Sequence, residues 1–239
     1  EALQKGRDTL DTARIAGNPV SFTPSLDASI LLSLASGFPK ELFLAHPEQS
    51  VDFCADTYFQ YIARRITGEP VAYITGKKEF WGRDFTVSPE VLIPKQDTEI
   101  LVERALELIG KEKDAGNRSR VLDACTGSGC IVITLAASFP HSHYTAFDIS
   151  PGALAIARHN ASRLLTPDTE IDFIELDLRT GLPPCPISSD GTYSLITANP
   201  PYVPAQVART LLEDGRNEPL LALDGGEDGL DLVRILAEN

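Results

Sequence analysis

The chain contains 239 residues, of which 43% are hydrophobic and 23% are charged, a composition typical of a globular protein. It has no run of about 18 apolar residues, so the sequence predicts no membrane-spanning helix. Because 34 acidic residues outnumber 21 basic ones, the net charge is −13. This acidity disfavours nucleic acid as the main ligand and is compatible with a basic protein partner.

The cysteines of the chain do not have the spacing of metal ligands. They are Cys54, Cys125, Cys130 and Cys185. We therefore predict no metal site, no secretory signal and reduced thiols, as in a cytoplasmic protein.

Residues 1–67 are predicted to form a small helical domain. Leu3, Leu10, Ala13 and Ala16 mark one face of a first helix. A second helix is predicted from residue 24 to residue 34, with Gly37 ending it, and a third over 52–67. The domain shows no catalytic motif, and the position of His46 in a loop beside Pro47 indicates a surface residue.

Residues 68–95 are predicted to form a β-hairpin connector between two domains. The expected strands are 72–75 and 79–81, joined through Gly76, with a further strand over 84–88. Phe80 and Trp81 are either structural residues of this hairpin or the lining of a groove. The third domain then covers 96–239, and its first helix, 99–109, is expected to be capped by Asp97 or Thr98.

A strand, a glycine loop and a helix open this third domain. The strand is 120–124, the loop is Cys125-Thr126-Gly127-Ser128-Gly129 and the helix is 130–138. Glycines let the backbone approach a ligand, and the helix N-terminus offers free N–H groups. The loop lacks the patterns of dinucleotide and triphosphate sites, so it indicates a nucleotide-like or carboxylate-bearing ligand of another kind.

Acidic residues end the next two predicted strands. Asp148 follows strand 143–147, where a carboxylate can hold a ribose diol, although it could instead cap the helix that starts at Pro151. Asp177 and Leu178 follow strand 170–176 and suit an adenine ring, with a carboxylate for the amine and an apolar side chain beside the ring.

The fourth predicted strand, 193–198, ends at Asn199-Pro200-Pro201-Tyr202. A carboxamide, rigid carbonyls and an aromatic ring at the carboxyl end of a strand suit a planar group that bears an NH2. A plain strand-ending turn is the alternative. Right-handed crossovers predict the strand order three-two-one-four, which places this segment and the glycine loop across one crevice.

Together these motifs resemble the class I S-adenosylmethionine-dependent methyltransferases, with a Rossmann-like, doubly wound α/β sheet. Further stretches resemble the peptide chain release factor glutamine methyltransferases, the PrmC/HemK family. These stretches are Gly68-Glu69-Pro70-Val71-Ala72-Tyr73-Ile74-Thr75-Gly76, Glu79-Phe80-Trp81, Leu92-Ile93-Pro94-Lys95-Gln96-Asp97-Thr98-Glu99 and Glu218-Pro219-Leu220-Leu221-Ala222-Leu223-Asp224-Gly225-Gly226. Two positions depart from the pattern: Cys125 replaces a common glycine, and Lys95-Gln96 replaces Arg-Pro. The family fold also has further strands, which we expect to be missing after residue 239.

The resemblance implies methyl transfer from S-adenosyl-L-methionine to the N5 side-chain nitrogen of the glutamine in the Gly-Gly-Gln motif of bacterial release factors. S-Adenosyl-L-homocysteine is the implied product. Asn199, Pro200 and Tyr202 would be catalytic, with Pro201 also binding substrate. The implied cofactor site comprises Cys125, Thr126, Gly127, Ser128, Gly129, Asp148, Asp177, Leu178 and Asn199.

The helical domain would recognise the protein substrate, and we expect a cytoplasmic monomer that binds no nucleic acid stably. Asn-Pro-Pro-Tyr also occurs in adenine-N6 methyltransferases of DNA, so such an activity on DNA or RNA is one alternative, which the acidic composition opposes. A non-catalytic S-adenosylmethionine-binding protein is another, which the intact Asn199 and Tyr202 oppose.

Overall fold

The computed structural model describes residues 1–17, 23–213 and 218–238. The chain divides into two compact units. One contains Glu1–Gly76 with Thr210–Asn217, and the other contains Lys77–Arg209 with Glu218–Asn239.

The first unit is helical. Its helices are α1 (Ala2–Ile15), α2 (Pro24–Ser36), α3 (Lys40–Ala45), α4 (Ala55–Ile66) and α5 (Val71–Thr75). Leu10, Leu31, Tyr58 and Ile62 are almost fully buried and belong to its core. Of the predicted face of α1, Leu10 and Ala13 are buried, whereas Ala16 lies beyond the end of the helix and is exposed.

Proline and glycine set the ends of α2 as the sequence predicts. Pro24 occupies the first turn, where its missing N–H costs no hydrogen bond. Gly37 follows the last turn with φ +73°, a conformation that glycine adopts without steric cost. Between α2 and α4, a largely buried ion pair joins Asp27 to Arg65, with Oδ2 2.8 Å from Nε.

The prediction of a strand over 72–75 is wrong, because this segment is the short helix α5. The N–H groups of Tyr73 and Ile74 both donate to the carbonyl of Pro70, at 3.0 and 3.1 Å. Gly76 then ends the helix with φ +71°. Pro70 and Gly76 thus override the β-branched and aromatic side chains between them, which favour a strand.

The hairpin lies one segment later, in the second unit. Its strands β1 (Lys77–Phe80) and β2 (Arg83–Thr86) are antiparallel, with Phe80 opposite Arg83. Trp81 and Gly82 form the two-residue turn, with φ +51° and +69°. Positive φ at both central residues is the pattern that matches the twist of paired strands.

The aromatic pair of the hairpin packs in and against the core of the second unit. Phe80 is 1% exposed in the core of the second unit, and Trp81 packs against that core. Glu99 fixes the turn, because its Oε1 accepts a hydrogen bond from the Trp81 N–H at 2.9 Å. The structural interpretation of this pair is therefore confirmed.

A four-stranded parallel sheet forms the centre of the second unit. The remaining elements are α6 (Thr98–Asp114), β3 (Arg120–Ala124), α7 (Cys130–Ser138), β4 (His143–Asp148), α8 (Pro151–Leu164), β5 (Ile171–Glu175), β6 (Leu195–Ala198), α9 (Ala205–Glu213) and α10 (Asp231–Glu238). The strand order is β5-β4-β3-β6, which confirms the predicted order. Helix α7 is buried along most of its length, as its apolar sequence requires.

Candidate active site

The site lies at the carboxyl ends of the parallel strands, inside the second unit. The sheet order reverses between β3 and β6, and an α/β sheet binds its ligands at such a point. One cavity there is lined by nine of the predicted site residues. These are Cys125, Thr126, Gly127, Ser128, Asp148, Asp177, Leu178, Asn199 and Pro201.

Three predicted site residues are not among the described residues that line this cavity. Gly129 is the N-cap of α7, with φ +78°. Pro200 is buried, whereas Tyr202 is 59% exposed. Tyr202 is therefore largely exposed and directly follows Pro201, which lines the cavity.

The glycine loop takes its shape from left-handed backbone conformations. Cys125, Gly127 and Gly129 have φ of +57°, +55° and +78°. The loop is then fixed by the next strand, because the Gly127 N–H donates to Asp148 Oδ2 at 2.9 Å. Burial raises the pKa of the Cys125 thiol to about 12, so the thiol stays protonated at neutral pH.

Asp123 connects the loop to the neighbouring strand from beneath the cavity. Its Oδ2 accepts a hydrogen bond from the Thr126 hydroxyl and its Oδ1 accepts one from the Thr197 hydroxyl, both at 2.7 Å. All three side chains are buried, and desolvation raises the pKa of Asp123 to about 6. Asp123 thus joins the loop to the strand that carries Asn199.

Asp148 and Asp177 also hold backbone N–H groups. Asp148 Oδ1 accepts from Ser150 N at 2.9 Å, but the N-cap of α8 is Ser150, whose Oγ accepts from Ala153 N. Burial raises the pKa of Asp148. Asp177 caps a short 3-10 helix by accepting from Arg179 N at 2.9 Å. Each carboxylate keeps lone pairs for a ligand, because a carboxylate offers about four acceptor positions.

The Asn199 carboxamide makes one long contact with the first turn of α6. Its Nδ2 donates to the hydroxyl of Thr98, the first residue of α6, at 3.4 Å. Among the residues that the structure describes, none donates to its Oδ1, so that oxygen is available to a ligand N–H. Of the two predicted capping residues, Asp97 occupies the N-cap position and Thr98 is the first helical residue, but the Asp97 side chain makes no capping hydrogen bond. Helix α6 also extends to Asp114, beyond the predicted end at Ile109.

A later loop supports the segment that follows β6. Val203 forms a parallel bridge with Asp224, and its carbonyl accepts a hydrogen bond from Gly225 N at 2.9 Å. A Cβ on Gly225 would lie 2.7 Å from the Pro201 carbonyl oxygen. Only glycine permits this close approach of two backbones.

Two walls of the cavity were not predicted from the sequence. One comes from residues 89–98 and the other from residues 219–224, which the chain brings together from distant positions. Glu218 joins them by accepting hydrogen bonds from Lys95 Nζ and from the Ile93 N–H, at 2.7 and 3.2 Å. The prolines and apolar residues in both stretches are the available sequence signal for buried loops. They do not reveal that the two stretches lie next to each other.

The residues of the cavity fit S-adenosyl-L-methionine. Asp148 and Asp177 supply acceptors for ribose hydroxyls and an exocyclic amine, and Ile149 and Leu178 supply apolar surface for a purine ring. The acidic lining, which includes Asp224, also suits a ligand that carries positive charge. No cluster of three or more potential metal ligands occurs in the described ranges.

Comparison with known proteins places both units in one family. The PrmC N-terminal domain matches residues 1–76, and a methyltransferase domain matches residues 121–216. The release factor glutamine methyltransferase of Koribacter versatilis (strain Ellin345) is 42% identical over 219 residues, which are 90% of this chain and 73% of that protein.

The chain belongs to the release factor glutamine methyltransferase family. The enzymes of that name from Moorella thermoacetica and Bradyrhizobium diazoefficiens are 39% and 38% identical. The matches cover 89% and 99% of this chain, and 72% and 76% of the two relatives. This family member is an α/β methyltransferase whose methyl donor is S-adenosyl-L-methionine. None of its described helices is both long and apolar enough to cross a membrane.

Proposed function

We propose that the enzyme methylates the N5 side-chain nitrogen of the glutamine in the Gly-Gly-Gln motif of bacterial release factors. The observation that carries the proposal is the position of the Asn199 carboxamide. Asn199 lines the same cavity as the glycine loop, and its Oδ1 accepts no hydrogen bond from the described residues. The names of the relatives support the same acceptor.

In this proposal the Asn199 Oδ1 and the Pro200 carbonyl accept the two N–H groups of the substrate amide. An amide nitrogen is a weak nucleophile because its lone pair is delocalised into the carbonyl. Two acceptors orient that nitrogen and stabilise the positive charge that develops on it during transfer. The proton then leaves after the transfer, so no general base is required before it.

Pro201 and Tyr202 complete the proposed acceptor site, and the exposed Tyr202 ring packs against the plane of the amide. The loop Cys125–Gly129, with Asp148, Asp177 and Leu178, would hold the cofactor. When bound, S-adenosyl-L-methionine supplies an electrophilic methyl group and leaves as S-adenosyl-L-homocysteine.

We also propose the division of labour between parts of the chain. The helical domain, 1–67, recognises the protein substrate. The hairpin region, 68–95, connects this domain to the methyltransferase domain, 96–239, which catalyses the transfer. We propose a cytoplasmic enzyme that acts as a monomer. The acidic composition supports a basic protein surface as its partner and opposes stable binding of nucleic acid.

The test is transfer of label from methyl-labelled S-adenosyl-L-methionine to a purified bacterial release factor. Asn199→Ala is expected to lower kcat on the order of 100- to 1000-fold, the loss typical of one removed catalytic hydrogen bond. Asn117→Ala is the matched control, because Asn117 is an exposed asparagine on the surface. A release factor with alanine in place of the motif glutamine should accept no label. Label on added DNA or RNA instead would favour adenine methylation.

A further inference from the structure

Asn160 is a fully buried polar residue on the apolar face of α8. Its side chain is 0% exposed and makes three hydrogen bonds to backbone groups. Oδ1 accepts from the Thr86 N–H at 2.8 Å, and Nδ2 donates to the carbonyls of Thr86 and Ser128, both at 3.0 Å. One carboxamide therefore connects β2 of the hairpin to the glycine loop.

The Thr86 backbone fixes the orientation of this carboxamide. Because Thr86 offers one donor and one acceptor, the Asn160 oxygen must face its N–H and the nitrogen must face its carbonyl. The second proton of Nδ2 then points to Ser128. An aspartate of the same shape could accept from Thr86 but could donate to neither carbonyl.

The peptide unit between Ser128 and Gly129 is held at both of its ends. Its carbonyl accepts from Asn160, and its N–H donates to the carbonyl of Thr126 at 2.9 Å. Because a peptide unit is planar, two opposed hydrogen bonds fix its orientation. Helix α8 also packs on the loop nearby, since a Cβ on Gly129 would lie 3.2 Å from the Cβ of Ala157.

We infer that Asn160 is a positioning residue for the methyl donor. It touches neither cofactor nor substrate, but it sets the peptide plane in the loop where the backbone meets the ligand. Asn160 also couples the orientation of that peptide plane to the hairpin, because the same carboxamide forms hydrogen bonds with the Thr86 backbone. The inference rests on the proposed function only in taking the loop as the cofactor site.

The first test is binding of S-adenosyl-L-homocysteine by isothermal titration calorimetry, which needs no methyl acceptor. Asn160→Asp is expected to raise the dissociation constant at least 10-fold, and Asn160→Ala to raise it less, because alanine leaves the Ser128 carbonyl unpaired but does not repel it. In steady-state assays the KM for S-adenosyl-L-methionine should rise with the dissociation constant. The KM for the release factor should stay within about twofold of the unaltered enzyme.

Two control variants separate positioning from loss of stability. Thr86→Val removes the hydroxyl that accepts a 2.9 Å hydrogen bond from Arg163 Nη1, but it keeps the backbone groups of Thr86 that pair with Asn160. Tyr144→Phe removes a buried hydroxyl that bonds to the carbonyls of Leu135 and Phe139. Neither control should change the dissociation constant more than twofold.

Unchanged binding in folded Asn160→Asp and Asn160→Ala proteins, beside normal binding by the unaltered enzyme, would overturn the inference and leave the proposed function intact. A fall in kcat with unchanged KM would also overturn it, because that pattern reports a smaller active fraction. If the unaltered enzyme bound no S-adenosyl-L-homocysteine, the inference and the proposed function would both be wrong.

Discussion

Glu218 holds Lys95 through both of its carboxylate oxygens, with Nζ 2.7 Å from Oε1 and 3.0 Å from Oε2. The two residues differ in exposure: the side chain of Lys95 is 46% exposed and that of Glu218 only 12%. Glu218 also accepts a hydrogen bond from Ile93 N. This pair therefore fastens the cavity wall that contains Lys95 to the wall that begins at Pro219.

The two partners should make unequal contributions to stability. Lys95→Met is expected to lower the free energy of unfolding by about 0.5 kcal/mol, the usual value for a partly exposed ion pair. Glu218→Ala should cost about 1–2 kcal/mol, because it also leaves the Ile93 N–H without its acceptor. Urea unfolding of both single variants and the double variant measures this. The contact would be contradicted if both single variants lost the same unfolding free energy, or if the loss in the double variant equalled the sum of the single losses.

Cys125→Gly is expected to stabilise the protein. A left-handed conformation costs a non-glycine residue about 1–2 kcal/mol, and the greater chain entropy of glycine offsets roughly half of this gain. The net increase in the free energy of unfolding should be up to about 1 kcal/mol, with cofactor binding retained. The matched control is Cys130→Gly at the start of α7, where φ is not positive and glycine should destabilise. A lower unfolding free energy in Cys125→Gly would contradict the proposal that the left-handed backbone conformation at Cys125 is strained.

The sequence alone predicted the sheet and the part of the cavity that the strand ends form, because those features depend on local patterns. The short apolar strands, Gly127 and the acids that follow strands β4 and β5 lie within single βαβ units. The support for the loop was not predicted, since Asn160 meets Thr86 and Ser128 only in the folded chain. A signal was nevertheless present: Asn160 follows Ala157 at helical spacing on an apolar face, where a polar residue needs buried partners. The pairing of Glu218 with Lys95 had no such signal.

The buried carboxyl of Asp123 should make stability depend on pH in a characteristic direction. Its pKa rises from 3.8 to about 6 on folding, so the folded protein binds more protons between those values. The contribution of this group is fully present below pH 4 and is lost as the pH rises through about 6. Asp123→Asn should therefore gain stability relative to the unaltered enzyme on going from pH 4.5 to pH 7, by roughly 2 kcal/mol.

Urea unfolding at both pH values measures this difference. Asp190→Asn is the matched control, because hydrogen bonds from Ser188 and Thr192 lower the pKa of Asp190 to about 2. The Asp190 carboxylate contributes its full stability above its unfolded pKa of 3.8, and this stability is lost only as the pH falls from there through about 2. The stability difference of Asp190→Asn should therefore be the same at pH 4.5 and pH 7. If the difference in unfolding free energy between Asp123→Asn and the unaltered enzyme were the same at both pH values, the raised pKa of Asp123 would be contradicted.

Tyr58→Phe is expected to stabilise the helical unit by about 1 kcal/mol. The Tyr58 hydroxyl is fully buried and has no hydrogen-bond partner among the described residues, so it is desolvated without compensation. Burial also raises the pKa of Tyr58. The same substitution at Tyr144, whose hydroxyl has two carbonyl partners, should cost about 1 kcal/mol. If thermal unfolding showed that both substitutions stabilise, or that both destabilise, the predicted difference between Tyr58 and Tyr144 would be contradicted.

Trp81, at the tip of the β1–β2 turn, is the one tryptophan of the chain. Its backbone is tied to Glu99 and its ring packs on the core of the methyltransferase unit, so its emission reports the local environment of the hairpin. Far-ultraviolet circular dichroism, in contrast, averages over the helices of both units. Melting curves from the two signals are therefore a direct assay of whether the enzyme unfolds as one cooperative body or in two stages.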